Sequence, residues 1–282
     1  MSSIRAAENP QAAVDALLAA DRAFSSASAK TDFVSGLSAM LDEKAIIFVV
    51  PLPPLAHGKA EAVAVLKNAK ISPSARTQWT PIRGGVSADG QQGFTYGYMT
   101  TEEEGKPAQL SKYLSYWVKR PEGWRVALFK RVPRPEGKVS TELRPPSLPK
   151  AIVPVITDAA TLAKHRASLD QTERTFSDEA QTIGLGKAFK KNGSADAMNV
   201  GGAAEFTFGN EAISASVGGD EPGSPLHWGP EDVITASSGD LGATWGLLLR
   251  NGPTPPGRLE KIPFFTIWHR NSPDEPWLYI AE

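Results

Sequence analysis

The chain has 282 residues, 41% of them hydrophobic and 22% charged, the balance of a globular protein with enough material for two cores. With 30 basic and 31 acidic residues the formal charge is -1, so no global field gathers nucleic acid or anionic membrane, and neither is expected as a partner. The absence of cysteine excludes disulfides, thiolate nucleophiles, iron–sulfur clusters and cysteine-type zinc sites.

Taken in chain order, Met1–Glu8 lacks the apolar core of a signal peptide, and no later stretch approaches the ~20 apolar residues of a membrane span. The sequence as it stands therefore reads as cytoplasmic, with the periplasm or secretion following only where a signal has been removed. Pro10 opens an expected amphipathic helix over 10–29, with Val14, Leu17, Leu18, Asp21 and Phe24 at spacings of three and four. A shorter helix is expected over 31–41, and the β-branched run Ala45 to Val50 predicts a strand that Pro51, Pro53 and Pro54 end. Gly58-Lys59 precedes a short helix over 60–67. From residue 77 the period becomes two, predicting strands over 77–87, 93–102, 110–119 and 124–132, with turns at Asp89-Gly90, Glu104-Gly105 and Pro121-Glu122-Gly123.

Residues 133–157 carry Pro133, Pro135, Pro145, Pro146, Pro149 and Pro154, which predicts an extended, semi-rigid connector. Beyond it the order repeats: helices over 159–180 and 184–191, then strands near 204–209, 226–236, 242–250, 259–270 and 276–281. The repeat is also visible residue by residue. An offset of 149 pairs Trp79 with Trp228, Pro81 with Pro230, Gly90 with Gly239, Gly93 with Gly242, Thr95 with Thr244, Gly97 with Gly246, Pro107 with Pro256, Leu110 with Leu259 and Lys112 with Lys261. These nine identities fall in 34 positions, where composition alone gives about two. An offset of 152 pairs Leu17, Arg22, Phe24 and Ser25 with Leu169, Arg174, Phe176 and Ser177. The expected organisation is two domains, 1–132 and 158–282, around the linker 133–157. Glycines inside the same strand of both copies predict a sharp bend there.

The stretch Leu226-His227-Trp228-Gly229-Pro230 followed by Ser237 to Gly246, and its weaker copy at Trp79-Thr80-Pro81 and Ala88 to Gly97, resemble the SnoaL-like domains of the nuclear transport factor 2-like superfamily. The Leu-x-x-x-Asp-Arg-x-Phe-Ser run at Leu17 to Ser25 and Gly58-Lys59 resemble it too. The resemblance implies an α+β fold of two tandem cone-shaped domains, each a strongly bent antiparallel sheet wrapped on N-terminal helices, with a pocket at the open end. It also implies that the two copies form an intramolecular pseudo-dimer, to which a further homo-oligomer can be added. The superfamily holds isomerases, cyclases and dehydratases beside pure binders, so the fold leaves catalysis open.

The expected ligand-binding residues are the strand aromatics. Phe94, Tyr96 and Tyr98 share one strand face, Tyr113 and Trp117 share another, and Trp245 stands in the second copy. Their competing reading is core or the seam between copies. Candidates for acid–base chemistry are His227 with His269, and Asp21. Asp21 and Glu173 occupy matching helix positions, each followed by arginine, and read first as a structural ion pair or helix-surface charge. No metal site is expected, because the four histidines His57, His165, His227 and His269 form no ligand spacing, and no cofactor motif is present: Gly186-Lys187 is followed by Ala188 where a phosphate loop needs a hydroxyl. The leading expectation is a protein that binds a small apolar or aromatic metabolite in a cone pocket. An acid–base isomerase, cyclase or dehydratase and a structural assembly domain are the alternatives.

Overall fold

The computed structural model describes residues 9–49, 55–69 and 71–282; Val50 and the prolines expected to end the first strand, and the Met1–Glu8 leader reading, lie outside the described residues. Two compact units are present. Of the described residues, 9–49, 56–69 and 71–155 form the first, and 156–282 with Leu55 form the second.

The first unit runs α1 (Pro10–Ser28), α2 (Phe33–Ser38), β1 (Leu41–Val49), β2 (Ala56–His57), α3 (Gly58–Asn68), β3 (Arg76–Val86), β4 (Gln92–Glu102), β5 (Gln109–Arg120) and β6 (Gly123–Pro133). The second runs α4 (Ala159–Ile183), α5 (Leu185–Asn192), β7 (Gly193–Asn199), β8 (Thr207–Phe208), α6 (Asn210–Val217), β9 (Leu226–Thr235), β10 (Leu241–Arg250), β11 (Lys261–His269) and β12 (Leu278–Ala281). Strand order is β2-β1-β6-β5-β4-β3 in one sheet and β8-β7-β12-β11-β10-β9 in the other, the same topology twice.

The long helices start where their chemistry dictates. The side chain of Asn9 caps Ala12 N ahead of Pro10, and Asp158 caps Thr161 N. Both helices then bury one stripe against the sheet: Val14, Leu17, Leu18 and Asp21 in α1, Leu169, Glu173, Phe176 and Ala180 in α4. Each sheet is mixed rather than wholly antiparallel. β1 pairs parallel with β6, and β7 parallel with β12, while the meander strands pair antiparallel. β1 and β6 are remote in the chain, so no hairpin sets their relative direction.

In the second unit the expected strand near 204–209 is only the two-residue β8; the counterpart of β1 is β7, with the sequence Gly-Ser-Ala-Asp-Ala-Met-Asn. That run has no β-branched or aromatic residue, and its pairing with β12 makes it a strand where local propensity does not. α6, the counterpart of α3, is likewise an element the sequence pattern does not disclose.

The expected bend is present in both sheets at the same place. The β3–β4 register slips between Pro81 and Arg83, opposite Gly97, and the β9–β10 register slips between Trp245 and Gly246. A Cβ on Gly97 would run into the Thr80 carbonyl oxygen, and one on Gly246 would lie 2.6 Å from that of Gly229, so the crossing backbones leave room for hydrogen alone.

The repeat is less extensive than the sequence offset. Gly93 stands opposite Trp117 and Gly242 opposite Trp268, so from β5 onward the matching residues are 151 apart and the identities at 107, 110 and 112 fall out of register. The β10–β11 connection is longer than the β4–β5 one, and that displaces the count.

The proline-rich segment is bound to the first unit. Arg144 N donates to Ile82 O, Ser147 N to Gly84 O and Val153 N to Ala88 O, while Val86 N donates to Ser147 O. The segment thus lies along the outer edge of β3, using donors and acceptors that an edge strand leaves unpaired.

Candidate functional site

In both units the inward stripe of the long helix carries a buried carboxylate. Asp21 and Glu173 are each fully shielded from solvent. One turn later Ser25 and Ser177 hold the neighbouring strand: Ser25 Oγ accepts from Trp79 N at 2.7 Å, and Ser177 Oγ accepts from Trp228 N at 2.8 Å. This clamp aims the indole of each tryptophan at the acid. Trp79 Nε1 donates to Asp21 at 2.5 Å, and Trp228 Nε1 to Glu173 at 2.6 Å.

The second donor differs between the units. In the first, Tyr113 Oη donates to Asp21 at 2.8 Å, and Trp117 Nε1 is 2.8 Å from Thr95 Oγ1. In the second, Phe264 occupies the place of Tyr113 by strand register and has no hydroxyl. The longer Glu173 reaches instead to Thr244 Oγ1 at 2.5 Å and Trp268 Nε1 at 3.0 Å. Burial is the largest influence on both acids and pushes them above the usual carboxylate range; the hydroxyl and indole donors oppose it. The surface-charge and ion-pair readings of these two positions are therefore corrected: their arginine neighbours Arg22 and Arg174 are exposed, and Arg174 pairs with Asp170 at 2.8 Å.

The second unit holds a cavity of about 200 Å³ with Glu173 and Phe176 among its deep walls. Phe189, Trp228 and Phe264 are its other buried walls, while Leu185, Val217, Leu226 and Leu248 are half-buried at its rim. Thr266, Asn199 and Glu282 add polar groups. Helices α4, α5 and α6 thus face the concave side of β9, β10 and β11 across an apolar space that contains one buried acid.

The sequence-predicted residues lie elsewhere. Tyr113 and Trp117 face α1 and belong to the first unit's core and its Asp21 cluster. Since Thr95 shares that face, Phe94, Tyr96 and Tyr98 occupy the opposite face of β4, all buried, with Phe94 and Tyr96 stacked at 6.4 Å. Trp245 is opposite in sense to Thr244 for the same reason. None of the six walls the cavity of the second unit.

His227 and His269 do not meet. β10 places Leu249 beside His227 and Leu241 beside His269, eight residues apart, which separates them by about 26 Å along the strand. His227 Nδ1 lies within hydrogen-bond distance of Asn251 Oδ1. Asp21 is held by Trp79 and Tyr113 within packed core.

Among the described residues no cluster of His, Asp and Glu is arranged to hold a metal ion, and no helix is long and apolar enough to cross a membrane. The feature missed from sequence is the burial of Glu173 as an acid. Its signal was there: an acid in the apolar stripe of a helix, matched by another at the same position of the repeat.

No protein-family model and no curated protein matches this chain. Among solved structures it is similar to an NTF2-like protein with a cystatin-like fold from Novosphingobium aromaticivorans, at 15% identity over 42% of this chain and 79% of that one, TM-score 0.34. It is similar to a ketosteroid isomerase-like protein from Erwinia carotovora atroseptica, at 16% identity over 45% of this chain and 95% of that one, TM-score 0.32. A third is an LEH-like epoxide hydrolase of M. tuberculosis, at 14% identity over 42% and 78%, TM-score 0.31. By its own topology the chain is a tandem pair of α+β units, each a bent six-stranded sheet over helices, as the resemblance to the nuclear transport factor 2-like superfamily implies, with one parallel pair in each sheet where an antiparallel sheet was expected.

Proposed function

We propose that the second unit binds a small, predominantly apolar molecule of about one ring in the cavity over Glu173. The observation that carries this reading is the cavity itself: about 200 Å³, walled by Phe176, Phe189, Trp228, Leu248 and Phe264. Apolar cavities of ~150 Å³ accept benzene, so the space suits a compact ring better than a fused polycycle. Half-buried rim residues offer an entrance to this space.

Binding is favoured over acid–base catalysis by the state of Glu173. One oxygen accepts from Trp228 and the other from both Thr244 and Trp268, so three of its roughly four lone-pair sites are taken by fixed donors. A general base needs an oxygen within reach of the substrate proton. The role that fits is a rigid polar floor that fixes the indole of Trp228 against the ligand.

Trp228 reports on occupancy. Titration with toluene or phenol is expected to change tryptophan fluorescence and raise the melting temperature, by about 2.7 kcal/mol of stability at a hundredfold excess over Kd. Leu248→Trp, at the half-buried rim, is expected to fill the space and abolish the response while leaving the melting temperature of the free protein close to wild type. A wild-type protein indifferent to both probes at millimolar concentration would refute the proposal.

A further inference from the structure

Among the described residues, one buried cation of the first unit has no anion beside it. Arg131 projects from β6 on the same face as Tyr113, its direct partner across the β5–β6 register, and so enters the interior of the first unit's sheet. It is only 7% exposed. Its guanidinium lies over the ring of Phe33 at 5.1 Å from the centroid, and its one hydrogen bond among the described residues is a long contact of 3.4 Å from Nη1 to Thr101 Oγ1. That hydroxyl is itself engaged with Thr77 at 2.9 Å.

A guanidinium carries five N–H donors in a planar fork, and a buried one without a carboxylate leaves most of them unused at a considerable cost in desolvation. Burial pushes the group down, to about 10, so it remains a cation at neutral pH, and the described residues around it supply no counterion. Phe33 is at the same time a wall of a hollow of about 300 Å³ bordered by Val34, Ile71 and Lys67, with Asp32 committed to capping Ser35 N at 2.9 Å. Phe33 thus touches both the guanidinium and the hollow, although Arg131 is not itself one of the hollow's walls.

We propose that Arg131 is the anchor of an anion-binding site in the first unit, whose ligand is a small monocarboxylate with an apolar body lying against Phe33. The planar fork matches a carboxylate through two parallel N–H···O bonds. A single buried cation balances one negative charge, which disfavours a doubly charged phosphate. The site is separate from the cavity over Glu173 and does not depend on it.

Benzoate is the probe, with benzamide as its uncharged counterpart of the same shape and inorganic phosphate as the test of anion class. Calorimetric titration of the full chain is expected to show benzoate binding at least about tenfold tighter than benzamide or phosphate, the factor that charge-assisted hydrogen bonds supply. Arg131→Met is expected to remove the benzoate preference and Arg131→Lys to retain part of it. Soaking crystals of the wild-type protein with 4-bromobenzoate needs no variant: its anomalous peak is expected within a ring's length of the Arg131 guanidinium.

Equal binding of benzoate and benzamide, an unchanged benzoate affinity in Arg131→Met, or a bromine peak only over Glu173 would each overturn the site. A failure of toluene to bind in the second unit would leave these measurements unaffected.

Discussion

Glu173 and Asp21 do the same job with side chains of different length. The longer acid compensates for the hydroxyl lost at Phe264 by reaching the Thr244 hydroxyl and the Trp268 indole, whereas the shorter one has Tyr113. Replacing Glu173 with Gln swaps one acceptor oxygen for a donor that faces fixed donors. Glu173→Gln is therefore expected to destabilise the second unit by about 1–3 kcal/mol, read by urea denaturation, and to weaken binding in the adjoining cavity. Tyr113→Phe removes one of the side-chain donors to Asp21, leaving Trp79 and Thr95, and is expected to cost about 1–2 kcal/mol without opening a cavity, because the ring volume is kept. The sequence placed both acids on matching helix positions but could not show that they are buried. Periodicity gives a helix face, and whether a charge on that face meets donors or solvent depends on side chains 55 and more positions away in the chain.

The elements were legible where local propensity and tertiary demand agree. The four meander strands and both long helices follow their predicted spans within a few residues, because alternating aromatics, turn glycines and alanine-rich helical spacing each express the final environment locally. β7 and α6 were not legible, since β7 is a strand only through its partner β12. The strand glycines are a local signal of a non-local event, the crossing of two backbones at the bulge. Gly97→Ala is expected to destabilise the first unit by about 2–4 kcal/mol in thermal or urea unfolding, as the Thr80 carbonyl leaves no space for a methyl group. The linker has a structural duty that composition alone does not reveal. Ser147→Pro removes the donor to Gly84 O and is expected to accelerate hydrogen exchange at Val86 N, whose acceptor is Ser147 O, with little change at Tyr96 in the interior of the sheet.

For the molecule as a whole the two buried acids predict a pH dependence of definite sign. Burial raises both above their unfolded values, so the folded state binds more protons than the unfolded state in the window above the ordinary carboxylate pKa. Stability from these groups is complete below that value and declines as pH rises through the raised folded pKa. The doubly substituted Asp21→Asn, Glu173→Gln chain is expected to lose this slope in denaturation curves taken from pH 4 upward. His165 acts in the opposite direction. Burial, with Arg270 and Lys164 nearby, lowers it, so its contribution is present above the usual imidazole value and lost as pH falls below that value. The two trends offset one another where their pH windows overlap.

What the sequence determined by itself was the duplicated α+β plan, the order of most elements and the sites of the bends, because these are written in spacing and in residues whose backbone or packing needs are local. Only the tertiary structure decided which of the inward-facing groups are satisfied. Tyr113, Trp117 and Asp21 close on one another in the first unit, while Phe264 in place of Tyr113 accompanies an open cavity over Glu173 in the second. Arg131 was unremarkable as a strand residue and becomes chemically distinctive only when its described neighbours are seen to include no anion. The physical reason is common to all three cases. Burial and hydrogen-bond satisfaction are properties of what surrounds a side chain in space, and a sheet brings those surroundings together from strands that the chain keeps far apart.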